Sequence, residues 1–105
     1  MTAKYKVDIS EPAEKDLRDI VQYISAQLSA PMTALKMIDT LDEAITGLTT
    51  MPQKCPSVTD ERLAMMGYRK LSVKNYIVFF TIDEKSKIIN VERILYTRRN
   101  WLHIL

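Results

Sequence analysis

The stretch Tyr76-Ile77-Val78-Phe79-Phe80-Thr81-Ile82 constrains the fold most, because it is apolar on both of its alternating faces. A run this short and this rich in aromatic and β-branched residues reads as a strand that structure must cover from both sides. Turn-forming sequences bound it, Lys74-Asn75 before and Asp83-Glu84-Lys85-Ser86-Lys87 after. Ahead of the first turn, past Gly67, Arg69, Leu71 and Val73 alternate with Tyr68, Lys70 and Ser72; beyond the second, Ile88 to Tyr96 forms the last strand. Neither turn is long enough for a crossover, so the three strands form an antiparallel meander.

The N-terminal half has different periods. Tyr5, Val7 and Ile9 alternate with Lys4, Lys6 and Asp8 as in a half-buried strand, which Ser10-Glu11-Pro12 stops. Ser10 caps the next element. There Ala13, Leu17, Ile20, Ile24 and Leu28 recur at helical spacing, with Glu14, Lys15, Arg18, Asp19 and Gln22 on other faces. Ser29-Ala30-Pro31 breaks this helix, and Pro31 suits the first position of a second, whose core line is Ala34, Ile38, Leu41, Ile45 and Leu48. So short a link folds the two back as a hairpin. Met51-Pro52 ends the second helix, and Gln53 to about Met66, which lacks a clean period, reads as a loop. At the far end Thr97 is placed to cap a short helix holding Trp101, Ile104 and Leu105. The expectation is an α+β fold, β-α-α-β-β-β, with a helix hairpin on a mostly antiparallel four-stranded sheet and a short C-terminal helix.

With 105 residues, 47% of them hydrophobic and 27% charged, the chain suits one domain over residues 1–105 and excludes disorder as the main state. One cysteine, Cys55, excludes an internal disulfide and a cysteine zinc cluster and fits a reducing cytoplasm. No apolar run nears the ~20 residues of a membrane span, and the start at Met1-Thr2-Ala3-Lys4 shows no signal core. The net charge of +2 hides a division: residues 1–66 carry 7 Lys/Arg against 10 Asp/Glu, residues 67–105 carry 8 against 3. A basic C-terminal third suggests an acidic partner, nucleic acid or an acidic protein segment.

Familiar enzyme signatures are absent. There is no glycine-rich phosphate loop and no metal-ligand spacing, and no metal or cofactor is expected. Cys55 between Lys54 and Pro56 reads as a bystander thiol, and His103, among Trp101, Leu102, Ile104 and Leu105, as a solvent-facing or satisfied histidine. What remains is cationic and aromatic: Arg62, Arg69, Lys70, Lys74, Tyr76, Arg93, Tyr96, Arg98, Arg99, Trp101 and His103. Such a set permits metal-free RNA cleavage, in which guanidiniums stabilise charge on the phosphate while one group moves protons. On strict alternation Arg93 shares a strand face with Val91 and Leu95, and Glu92 shares the other with Tyr96.

Several segments in register resemble the RelE/ParE superfamily of toxins from bacterial type II toxin-antitoxin modules: Pro12-Ala-Glu-Lys-Asp-Leu17, Leu48-Thr-Thr-Met-Pro52, Gly67-Tyr-Arg-Lys-Leu71, Tyr76-Ile-Val-Phe-Phe-Thr-Ile-Asp83 and Val91-Glu-Arg-Ile-Leu-Tyr-Thr-Arg-Arg-Asn-Trp101. The resemblance implies a microbial-RNase-like fold, a cognate antitoxin that wraps the toxin, and one of two targets, messenger RNA in the ribosomal A site or DNA gyrase. By position Arg98 matches the family's arginine near the start of the last helix, and His103 roughly matches the terminal proton carrier of ribonuclease members. Two further basic positions fall near Ser72 and Ile77, where this chain has none. Catalysis, if present, would rest on Arg98, Arg62, Arg69 and His103; antitoxin or target binding would involve Lys70, Lys74, Arg93, Tyr96, Arg98, Arg99 and Trp101. The departures lean the reading to gyrase inhibition over ribosome-dependent cleavage. A non-toxic module acting with its partner in transcriptional autoregulation is the alternative from another class.

Overall fold

A computed structural model describes residues 4–105; Met1 to Ala3 lie outside it. The elements are β1 (Lys6–Ile9), α1 (Glu11–Gln22) continued by a π turn (Tyr23–Gln27), α2 (Pro31–Gly47), α3 (Glu61–Met65), β2 (Arg69–Val73), β3 (Tyr76–Asp83) and β4 (Ile88–Tyr96), with 3₁₀ turns at Pro52–Lys54 and Trp101–His103. The sheet order is β1-β4-β3-β2, with β1 parallel to β4 and the other pairs antiparallel. The α+β expectation holds, meander and helix hairpin included.

Ser10 caps α1, its hydroxyl oxygen accepting from the Ala13 N–H at 3.1 Å, and Pro31 opens α2. The hairpin buries Ala13, Ile20, Ile24, Ala34, Leu41 and Ile45 against one face of the sheet, on Val73, Tyr76, Val78, Val91 and Ile94. Beside this core Phe80 and Ile89 pack with Tyr5 and Leu48. The opposite face is covered too: Ile77, Phe79 and Leu95 bury with Val58 and Leu63, and Tyr68, Trp101, Ile104 and Leu105 pack around them. Both faces of β3 are therefore dry, as its composition requires.

Four expectations need correction. Leu28 is not on the core face: in the π turn its N–H donates to the Tyr23 carbonyl at 3.2 Å, five residues back, and the wider turn carries Leu28 out into solvent. The segment from Gln53 to Met66 is not all loop. Asp60 accepts from the Leu63 N–H at 2.9 Å and starts α3, a single helical turn too short for a period to show. Thr97 does not cap the last turn; its hydroxyl and N–H both donate to the Asn75 carbonyl at 2.8 Å, tying the chain to the β2–β3 turn, and the residue before the 3₁₀ turn is Asn100, whose side chain makes no cap bond. Finally, alternation fails in β4. Phe79 pairs with Arg93 and Phe80 with Val91, which makes Glu92 the extra residue of a β-bulge. Val91 and Leu95, expected on one face, consequently sit in opposite cores.

Candidate functional site

The candidate cations fall into two groups. Arg93 is internal: its Nε and Nη2 donate to the Asp16 carboxylate of α1 at 2.8 and 2.9 Å, and the Ile94 N–H donates to the same carboxylate at 2.9 Å. The bulge at Glu92 sets this up, because it lets Arg93 and Ile94 both present donors to one buried acid. Pairing with Asp16 pushes the Arg93 guanidinium above its usual range. Arg69 is also engaged, its Nη1 donating to the carbonyls of Cys55 at 2.6 Å and Gln53 at 3.3 Å, which fastens the loop after α2 to β2. Burial pushes the Cys55 thiol up, with Arg69 opposing, so this is not an activated nucleophile.

The second group faces solvent. Arg62 on α3, Lys74 in the β2–β3 turn, and Arg98, Arg99 and His103 after β4 are exposed, and no carboxylate among the described residues pairs with any of them. Lys70 is half-buried on β2. Trp101 is structural in its contact, with its ring 5.1 Å from Phe79. Tyr96 stands edge-on to Tyr76 at 5.8 Å. Burial, aided by Tyr96 and Tyr23, raises the Tyr76 hydroxyl above its ordinary value. Among the described residues no group of three His, Cys, Asp or Glu is arranged to hold a metal.

One concavity adjoins this second group. A cleft of about 680 Å³ opens between the helix hairpin and the ends of β3 and β4. Tyr23, Ile24, Leu28 and Met37 line its helical wall, Tyr76, Tyr96 and Arg99 its sheet wall, and Asp16 and Asp19 also come from α1. Of these, Tyr96 and Arg99 were readable from the sequence as binding residues. The helical wall was not, since Tyr23, Ile24 and Leu28 are placed by the π turn, although an acid at position 16 flanked by Ala13, Leu17 and Ile20 was a visible sign of a buried partner.

The model of the ParE toxin family of type II toxin-antitoxin systems matches residues 7–101. The chain is a ParE-family toxin. Within the RelE/ParE superfamily, the fold is shared with a chain of the chromosomal ParDE toxin-antitoxin system of P. aeruginosa, at a TM-score of 0.74 and 20% identity over 91% of this chain and 99% of that one. It is also shared with a chain of the RelBE2 toxin-antitoxin complex of Mycobacterium tuberculosis, at 0.63 and 16% over 91% and 94%. No curated protein matches the toxin. Among its described residues no helix is long and apolar enough to cross a membrane.

Proposed function

We propose that the toxin arrests growth by binding and inhibiting DNA gyrase, and that a cognate antitoxin holds it inactive. The observation that carries this reading is the filled sheet face opposite the helix hairpin. The superfamily resemblance places a basic position near Ile77, and here Ile77 is buried in an apolar cluster with Phe79, Leu95 and Leu63, under Trp101. Phosphate bound there would meet no donor and would lose its hydration. Arg93 gives its charge to the Asp16 carboxylate and Arg69 spends Nη1 on the loop carbonyls of Cys55 and Gln53, so Arg93 is not free to stabilise a transferring phosphate and Arg69 is held against the loop. An antitoxin partner is supported by family membership and by the two similar structures, both of toxin-antitoxin systems. The alternative, a metal-independent ribosome-dependent nuclease, would have to work with exposed Arg62, Arg98 and His103 and with an Arg69 tethered to the loop.

Gyrase supercoiling by purified enzyme, with primer-extension mapping of messenger cuts after induction, tests the proposal. Loss of supercoiling without A-site cuts is the expected result. Cuts without gyrase inhibition would overturn it, and neither effect would leave the non-toxic module that represses transcription with its partner.

A further inference from the structure

The solvent side of the helix hairpin carries a second concavity, separate from the cleft at the ends of β3 and β4. A groove of about 410 Å³ lies between α1 and α2, with Leu17 and Val21 on one wall and Ile38 on the other. Apolar surface continues beyond it along α2, where Met32 and Leu35 precede Ile38 in three-residue steps and are 68% and 60% exposed. A single exposed apolar side chain is ordinary, but a row of them leading into an apolar groove marks an interaction surface.

The charge on this side is opposite in sign to that of the C-terminal third. Glu11, Glu14, Asp39, Asp42 and Glu43 are exposed on the hairpin and pair with no cation among the described residues, whereas Lys15 is taken up by Asp19 at 3.0 Å. Of the hairpin's cations, Arg18 and Lys36 are left to oppose them. Asp42, four residues past Ile38, stands on the α2 flank of the groove, and Glu14, four residues before Arg18, extends its α1 flank. The hairpin therefore presents an apolar groove with an acidic rim.

That combination selects its occupant. Nucleic acid is repelled by the rim, and a second copy docked hairpin to hairpin would set acid against acid. The partner has to offer apolar side chains together with unpaired cations. An enzyme that holds DNA carries such cations, because lysines and arginines neutralise the phosphates. We infer that the hairpin groove is the surface with which the toxin engages gyrase: apolar side chains of the enzyme seat between Leu17, Val21 and Leu35, and its lysines and arginines meet Asp39 and Asp42. This rests on the gyrase reading above and names the face of the toxin that meets the enzyme, away from the exposed cations of the C-terminal third.

Supercoiling inhibition by the purified toxin, paired with its binding to DNA-free gyrase at low and high salt, tests the inference. Asp39→Lys combined with Asp42→Lys should raise the half-inhibiting concentration by roughly 10-fold at low salt and flatten the salt dependence of binding. Leu35→Gln should raise it by about 10-fold, as for an apolar anchor at an interface. These positions are exposed on a helix, so melting temperatures should stay near wild type. Asp8→Lys, which reverses an exposed acid on β1, should inhibit as wild type. Wild-type inhibition by both the double variant and Leu35→Gln would overturn the docking face and leave the gyrase reading standing. An equal loss in Asp8→Lys would trace the effect to overall charge and overturn it too. A toxin that sediments alone as a dimer and is dissociated by Leu35→Gln would assign the groove to a second copy and overturn the inference. Wild-type toxin that leaves supercoiling untouched would overturn the underlying reading itself.

Discussion

Replacing Asp16 by Ala should be the most damaging single change of a polar residue in this toxin. The Asp16 side chain is 7% exposed and accepts three hydrogen bonds, two from Arg93 and one from the buried Ile94 N–H. Removing it takes the carboxylate away from the Ile94 amide and strands a guanidinium. Breaking one partner of a buried ion pair costs about 3–5 kcal/mol, and because the Arg93 side chain keeps 24% exposure and can rehydrate, the lower end, about 3 kcal/mol, applies. For a domain of this size that is a drop of roughly 12–20 °C in melting temperature. Arg93→Met should cost somewhat less, since the carboxylate keeps the Ile94 N–H. Asp16→Ala combined with Arg93→Met should cost less than the two single changes added, because no charge is left unpaired. Urea denaturation of the two singles and the double supplies the cycle. If Arg93→Met melts like wild type yet weakens antitoxin or target binding, Arg93 belongs to the docking surface and the structural assignment fails.

Phe79→Ala and Phe80→Ala should each cost about 3–5 kcal/mol by cavity formation, measured by urea denaturation; two wild-type midpoints would show β3 misplaced. The Tyr5 hydroxyl, donating at 2.6 Å, and then Gln53 hold the Glu84 carboxyl below the ordinary range. A carboxyl lowered on folding stabilises above its unfolded pKa and loses that contribution as pH falls through the folded value. Glu84→Gln should therefore flatten the acid limb of stability against pH, and an unchanged slope would refute the network. His103→Ala should leave toxicity on induction intact if the toxin acts by binding, whereas deleting Trp101 to Leu105 should abolish it by uncovering Phe79. A growth arrest lost with His103→Ala alone would favour proton transfer and the nuclease.

Most elements were legible because their signals are local: the two-sided apolar run of β3, the Ser10 cap, and Pro31 at the start of α2. The misses share a cause, which is one residue out of period. The π turn displaces Leu28, the bulge at Glu92 separates Val91 from Leu95, and a single-turn helix at Glu61–Met65 is shorter than the window a period needs. Strict periodicity cannot register an inserted residue, since its signature is the failure of the pattern itself. The site suffered the same way. Tyr96, Arg98 and Arg99 stood out by chemistry, but Tyr23, Ile24 and Leu28 of the facing wall lie in or just after the π turn. The engagement of Arg93 with Asp16 spans 77 residues, so an acid among apolar neighbours was visible locally but its partner was not.

The parallel pairing of β1 with β4 puts the strand synthesised last in the interior of the sheet, between the first strand and β3. Until Ile88 to Tyr96 has left the ribosome, β1 has no partner, Asp16 has no counter-ion and the bonds from Ser10 to Val91 and Glu92 cannot form. Domains ordinarily begin folding from the N-terminus during synthesis, at about 5–20 residues per second. The fold therefore cannot close before β4 has emerged, and a chain cut before Ile88 would lack the strand that joins β1 to β3.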